Sequence, residues 1–128
     1  MVEEKFSITN KTKYTLPRVS FVSMKNEALG KNYSLSLVFV GENQSKKLNS
    51  SYRGKNKSTN VLSFPLDKKS GEILITPSVV KKQTKLFDRK FENLVVFLFI
   101  HGLMHLKGME HGSTMDRAEE KLRRKFRV

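Results

Sequence analysis

The segment at residues 91–107, FENLVVFLFIHGLMHLK, decides the fold. On propensity alone its valines and phenylalanines would also suit a buried strand. Its length favours a helix instead, and Gly108 directly after it can adopt the left-handed conformation in which helices commonly end. Because apolar residues surround most of the segment, the helix has to lie inside the protein. We therefore predict a central buried helix here, with the other elements packed around it.

Short alternating and amphipathic stretches flank this central segment. Predicted strands cover residues 5–10, 33–40, 60–66 and 71–76, and predicted helices cover 15–29, 42–52, 77–90 and 115–126. The first helix is expected to start near Pro17, a residue that favours the first helical turn. Strands and helices mixed in this order predict an α/β (α+β) fold, with a small mixed β-sheet packed against several helices. Because no linker or repeat interrupts the chain, residues 1–128 are expected to form a single compact domain.

The composition narrows the classes of function. The chain has 25 lysines and arginines against 12 acidic residues, a formal net charge of +13. Such an excess favours a polyanionic partner such as RNA, although it also fits a solvated basic surface. The absence of cysteine excludes disulfides and thiolate zinc sites. No apolar run approaches the roughly 20 residues of a membrane span and no signal peptide is present, so we expect a cytoplasmic protein without a membrane partner.

All three histidines of the chain are close together in sequence, at His101, His105 and His111. On a helix the first two project from the same face, about 5–6 Å apart at Cβ. A turn at Gly108 would bring His111 back towards them. Three imidazoles can bind one zinc ion and leave a fourth position open for water, which is typical of a catalytic site. The pattern therefore predicts a metal site, although packed histidines at helical spacing also arise by chance.

The same histidine spacing occurs in the HExxHxxGxxH frame of one class of zinc proteases. In that frame a glutamate follows the first histidine and acts as the general base. Here Gly102 stands in its place and has no side chain that could accept a proton. Peptidase activity is therefore not expected, whereas other metal-dependent hydrolysis stays open. We interpret Gly102 as a small residue that leaves space for substrate beside the metal.

Two separate stretches resemble signatures of the bacterial YbeY proteins. HGLMHLKGMEH at 101–111 is similar to the family signature HGxLHLxGxDH, and LNSSYRGKNKSTNVLSFP at 48–65 is similar to LNxxYRxxxxxTDVLSFP. GEILIT at 71–76 resembles the strand that follows in that family. The resemblance covers about residues 34–112 with the motifs in order, so it is more specific than either motif alone.

This resemblance implies a zinc-dependent, single-strand-specific endoribonuclease. The implied role is ribosomal RNA processing, at the 3′ end of the small-subunit RNA, together with ribosome quality control. The resemblance implies one zinc ion per chain, bound by His101, His105 and His111, and it makes Arg53 the catalytic residue. A guanidinium suits that role because it binds phosphate in bidentate fashion. The implied partners are ribosomal RNA and the ribosome or its small-subunit proteins.

Further residues in these motifs are candidates for RNA binding and for support of the metal. The candidate RNA contacts are Arg53, Lys55, Lys57 and Ser63. The two lysines also fit solvated cations in a polar loop. Glu110 stands where the family has an aspartate, and it is the candidate group that would orient a metal-binding histidine. Asn60 replaces an aspartate of the second signature and loses its charge, which puts any role for an anion there in doubt.

Two other functions stay open at this point. A ribosome-associated RNA-binding protein could use zinc only to fasten its C-terminal loop. A metal-dependent hydrolase of peptides or small molecules could use the same three histidines. A large loss of fold stability in chelator without loss of RNA cleavage would support the first. A cleft lined with cations, at which RNA displaces other substrates, would exclude the second.

Overall fold

A four-stranded mixed sheet forms the framework of the protein. A computed structural model describes residues 5–109 and 112–128. In chain order the described residues form β1 (Phe6–Asn10), α1 (Phe21–Leu29), β2 (Ser34–Phe39), α2 (Glu42–Arg53), β3 (Val61–Asp67), β4 (Ser70–Ile75), α3 (Pro77–Lys82), α4 (Phe91–Leu106) and α5 (Ser113–Phe126). The strand order is β1-β2-β4-β3. The α/β class and the small mixed sheet predicted from the sequence are confirmed.

Strand β3 lies at one edge of this sheet and runs antiparallel to β4. The other neighbouring pairs, β1 with β2 and β2 with β4, are parallel. Ser63 of β3 pairs with Ile73 of β4 in this register. The edge position matters because it leaves one long side of β3 open to other parts of the chain.

Helix α4 is the central helix that the segment 91–107 predicts. Leu94, Phe99, Ile100 and Leu103 are fully buried, and the helix packs on β3 and β4 and against α1 and α5. It ends where expected, since Gly108 has a φ of +89° and its N–H donates to the His105 carbonyl. A helix that is apolar on most of its surface is therefore enclosed on one face of the sheet.

The residues of β3 alternate between the two faces of the sheet. Val61 packs with the large core around α4, whereas Leu62 and Phe64 belong to a second, smaller apolar cluster. Leu48 of α2 packs against that smaller cluster. Helices α2 and α4 therefore cover opposite faces of the sheet, and both approach its β3 edge.

Three helix boundaries differ from the sequence prediction by more than one residue. Helix α1 begins at Phe21 and not near Pro17, because the Ser20 side chain caps it by accepting from the Ser23 N–H. Helix α3 ends at Lys82, and turns follow it through Asp88. Helix α5 begins at Ser113, two residues earlier than predicted. None of the helices in the described part of the chain is long and apolar enough to span a membrane.

Candidate active site

His101 and His105 lie side by side on the last two turns of α4. Their Nε2 atoms are 3.0 Å apart and their rings meet edge to face, with centroids 4.6 Å apart. Both side chains are partly exposed at the surface of an otherwise buried helix. The helical spacing seen in the sequence therefore brings two imidazole nitrogens to one point.

Glu119 of α5 holds the other side of the His101 ring. Its Oε1 lies 2.5 Å from His101 Nδ1, and its Oε2 accepts a 3.4 Å hydrogen bond from Arg123. The carboxylate is buried between these two groups. Because it accepts from Nδ1–H, it favours the tautomer in which the lone pair of His101 Nε2 faces His105.

This arrangement fits two ligands of a zinc site. Histidines that bind metals usually donate their other ring N–H to a carboxylate or carbonyl, as His101 does to Glu119. Two nitrogens bound to one tetrahedral zinc ion at about 2.0–2.1 Å are about 3.3 Å apart, close to the separation found here. His111 and Glu110 lie outside the described residues, and the described part of the chain contains no group of three potential ligands. The zinc ion and its three histidine ligands therefore stay a prediction.

A cavity of about 700 Å³ opens beside the histidine pair. Its walls come from the end of α2, from β3, from α4 and from α5. The lining residues are Tyr52, Arg53, Thr59, Asn60, Val61, Leu62, Ser63, Phe64, Phe87, Phe97, Leu98, His101, His105 and Glu119. The structure thus brings Arg53 and Ser63 into one cavity with His101 and His105, whereas Lys55 and Lys57 are exposed and do not line it.

Two further arginines lie next to the cavity at Phe97, one turn before His101. The guanidinium carbon of Arg89 is 4.1 Å from the Phe97 ring centroid, and that of Arg123 is 5.0 Å from it. Partial burial and then the nearby charge of Arg123 hold the pKa of Arg89 below its ordinary value. In the part of the chain that the structure describes, Glu119 is the one carboxylate that forms an ion pair with either arginine. Positive charge therefore exceeds negative charge on this side of the cavity.

Asn60, which replaces the aspartate of the family signature, is part of the hydrogen-bonding network at the cavity rim. Its side-chain amide donates to Gln83 Oε1 at 2.9 Å, and its backbone carbonyl accepts from the Thr76 N–H. An amide can donate to Gln83 where a carboxylate cannot. The loss of charge at this position is thus accompanied by a neutral contact between the residue that precedes β3 and the segment after α3.

Gly102 lies at the contact between α4 and the sheet, next to Ser63. A Cβ at this position would stand 2.7 Å from Ser63 Oγ and 3.1 Å from Ile73 Cδ1, and Gly102 is buried. The structure thus gives the small residue a packing role, whereas the interpretation that it leaves space for substrate stays a prediction. The glycine allows α4 to approach β3 and β4 closely, and this close approach carries the histidines to the sheet edge.

Comparison with known proteins places these features in a family. The family model described as "Endoribonuclease YbeY" matches residues 2–127. The chain belongs to the YbeY endoribonuclease family. Its members are named for cleavage within RNA chains, so the family is one of hydrolases that act on phosphodiester bonds.

Individual YbeY relatives support the same assignment. The endoribonuclease YbeY of Finegoldia magna is 33% identical over 90% of this chain and 80% of its own length. That of Thermodesulfovibrio yellowstonii is 35% identical over 84% of this chain and 69% of its own length. The solution structure of a Thermotoga maritima protein superimposes with a TM-score of 0.64 at 26% identity, covering 91% of this chain and 85% of that one. The YbeY family resemblance inferred from two motifs is thereby confirmed.

Sequence reasoning missed Glu119, although the sequence carries a signal for it. Met115, Glu119 and Leu122 are the buried residues of α5, and they share one face of the helix. A carboxylate within an apolar stripe requires a partner, since an unpaired buried charge is costly. Tyr52 was also missed, because nothing in a polar helix indicates that its last aromatic residue faces a cavity.

Proposed function

We propose that this YbeY family member is a zinc-dependent endoribonuclease that cuts single-stranded ribosomal RNA. The observation that carries the proposal is the single cavity shared by Arg53 and the His101–His105 pair. A group that can bind phosphate and a pair of side chains that can bind a metal ion are two elements of metal-dependent phosphodiester hydrolysis. The family match supports RNA as the substrate.

His101, His105 and His111 would hold the zinc ion in this proposal. When bound, zinc supplies Lewis acidity and lowers the pKa of water towards 7. Glu119 fixes the His101 ring, and Arg123 in turn neutralises the second oxygen of Glu119. Gly102 takes no part in proton transfer, since it has no side chain and is buried against the sheet.

Arg53 would bind the phosphate that is cleaved. It is the last residue of α2, exposed in solvent, and Gly54 ends the helix directly after it in the left-handed conformation. Its guanidinium can donate two hydrogen bonds to one phosphate and stabilise the negative charge that develops during hydrolysis. We further propose that the physiological substrate is the 3′ end of small-subunit ribosomal RNA in the cytoplasm. Contacts with the ribosome or its small-subunit proteins would bring the enzyme to this substrate. The same activity would serve ribosome quality control.

The Arg53→Ala variant tests the proposal. We expect kcat/KM for a single-stranded RNA oligonucleotide to fall by about 10²- to 10³-fold, because a preorganised donor to the developing charge is lost. Zinc content should stay at about one ion per chain, measured by elemental analysis. Arg53→Lys should recover only part of the activity, since an ammonium group cannot form the bidentate contact.

Arg124→Ala is the matched control, because it removes one guanidinium that is ion-paired to Glu120 at the surface of α5. It should change cleavage little. A zinc-loaded wild-type protein that binds RNA without cutting it would contradict the proposal. That outcome would support the alternative in which zinc fastens the C-terminal loop of an RNA-binding protein.

Replacement of Glu119 tests the support of the metal ligand. We expect Glu119→Ala to weaken zinc binding by about 10- to 100-fold, because His101 loses the partner that fixes its tautomer and ring orientation. Competition with a chromophoric chelator at constant pH measures this affinity without reference to activity. Glu120→Ala removes the adjacent exposed carboxylate and serves as the control. Equal zinc affinities for the two variants would exclude the role given to Glu119.

A further inference from the structure

Tyr52 and Phe64 form a flat aromatic pair on the α2 side of the cavity. Their ring centroids are 4.8 Å apart and their planes differ by only 9°. Phe64 is partly buried and packs against the small apolar cluster beneath α2. Tyr52 is 61% exposed, although it is stacked on its neighbour. Because Phe64 covers one face of the Tyr52 ring, most of the exposed area has to belong to the opposite face and the ring edges.

The position of this open ring face suggests what it binds. Tyr52 lines the cavity that contains His101 and His105, and it directly precedes Arg53 in the chain. A ring already stacked on Phe64 is held in one orientation, so a ligand would lose little conformational entropy in ordering it. A ligand with a planar group attached to a phosphate fits both residues, because the planar group can stack on Tyr52 while Arg53 binds the phosphate.

We propose that the outer face of Tyr52 stacks on one unpaired RNA base next to the phosphate that Arg53 binds. This inference rests on the proposed endoribonuclease function and adds a base-binding position to it. Unpaired bases have faces available for stacking on aromatic side chains, whereas bases inside a duplex are covered by their neighbours. Stacking on Tyr52 therefore provides a physical reason for a preference for single strands. It also makes that preference tolerant of base identity, since every base has a flat face.

The test uses Tyr52→Ala, Tyr52→Leu and Tyr52→Phe in the zinc-loaded protein of residues 1–128. The substrates are one single-stranded RNA oligonucleotide and a series in which a single abasic nucleotide is moved along the same sequence. We expect Tyr52→Ala and Tyr52→Leu to raise KM by about 5- to 100-fold, with kcat changed much less, because one stacking contact is lost. Tyr52→Phe should resemble wild type, since it keeps the flat ring.

The abasic series separates stacking from a general effect on the cavity. At one position, loss of the base should raise the wild-type KM to the level of Tyr52→Ala and leave Tyr52→Ala itself nearly unchanged. Leu66→Ala is the control, because Leu66 is an equally exposed apolar residue of β3, at 62%, that does not line the cavity. An unchanged KM in Tyr52→Ala would overturn the inference. The inference would also fail if Tyr52→Ala raised KM over wild type by the same factor for every abasic RNA.

Binding of the same oligonucleotides, followed by fluorescence anisotropy, separates this inference from the proposed function. If wild type binds RNA without cutting it, the proposed function fails. The base-binding position is then supported if Tyr52→Ala binds the intact RNA more weakly than wild type and this difference in affinity disappears for one abasic RNA. It is rejected if the variant and wild type bind every oligonucleotide alike.

Discussion

The Gly102→Glu variant, which introduces the glutamate of the zinc-protease frame, is expected not to fold. The first side-chain atom alone would stand 2.7 Å from Ser63 Oγ and 3.1 Å from Ile73 Cδ1. The remaining atoms would bring a carboxylate into the contact between α4 and the sheet, and burial of an unpaired charge costs several kcal/mol. Since domains of this size are stable by about 5–15 kcal/mol, the combined cost is comparable to the whole free energy of unfolding. Circular dichroism and thermal unfolding measure the result.

Smaller substitutions at the same contact should lower the free energy of unfolding by smaller amounts. Gly102→Ala should lower the free energy of unfolding by about 1–3 kcal/mol, because one methyl group overfills the contact. Adding Ser63→Gly should recover part of that loss by removing the nearer atom. Gly41→Ala is the control, since a Cβ there meets nothing within 4 Å, and it should cost less than about 1 kcal/mol. A stable Gly102→Glu protein would show that α4 does not require a glycine to approach β3.

The His105→Ala variant is expected to lose both its zinc and its RNA cleavage. His105 Nε2 faces His101 Nε2 at 3.0 Å, so its removal leaves one of the two converging nitrogens described by the structure. A site that loses one of three proposed ligands binds the ion far less tightly, and binding that occurs only in the folded state contributes to stability. Elemental analysis should find well below one zinc ion per chain. Cleavage of single-stranded RNA should fall to background.

Thermal unfolding separates loss of the metal from damage to the fold. His105 is only partly buried, so its side chain should contribute little to the core itself. Without chelator, wild type should unfold at a higher temperature than His105→Ala. In excess chelator, the two proteins should unfold at nearly the same temperature. A large remaining difference in chelator would mean that the histidine acts in packing and not through a metal ion.

The features that the sequence predicts well are those set by local pattern. The segment 91–107 is apolar around most of its circumference and is followed by Gly108, and these two properties determine both a buried helix and its end. The alternation in 33–40 and 60–66 similarly determines strands with two packed faces. Helical spacing is sufficient to place His101 beside His105.

The features that the sequence could not give depend on contacts between distant segments. The predicted helix over 77–90 is wrong after Lys82, because Phe87 packs against Phe97 and Asp88 adopts a φ of +51° to bring the chain there. An aspartate tolerates this conformation better than most residues, but nothing local requires it. The contact between Glu119 and His101 likewise arises only when α5 packs on α4. The role of Gly102 could not be inferred without knowing that Ser63 lies opposite.

The placement of β3 at the sheet edge divides the walls of the cavity between two packing clusters. Tyr52 stacks on Phe64 in a wall built on the small apolar cluster beneath α2, whereas His101 and Glu119 belong to a wall built on the large core around α4. Substitutions in separate packing clusters tend to act independently on stability. A stabilising substitution beneath α2 and another around α4 are therefore expected to raise the free energy of unfolding additively.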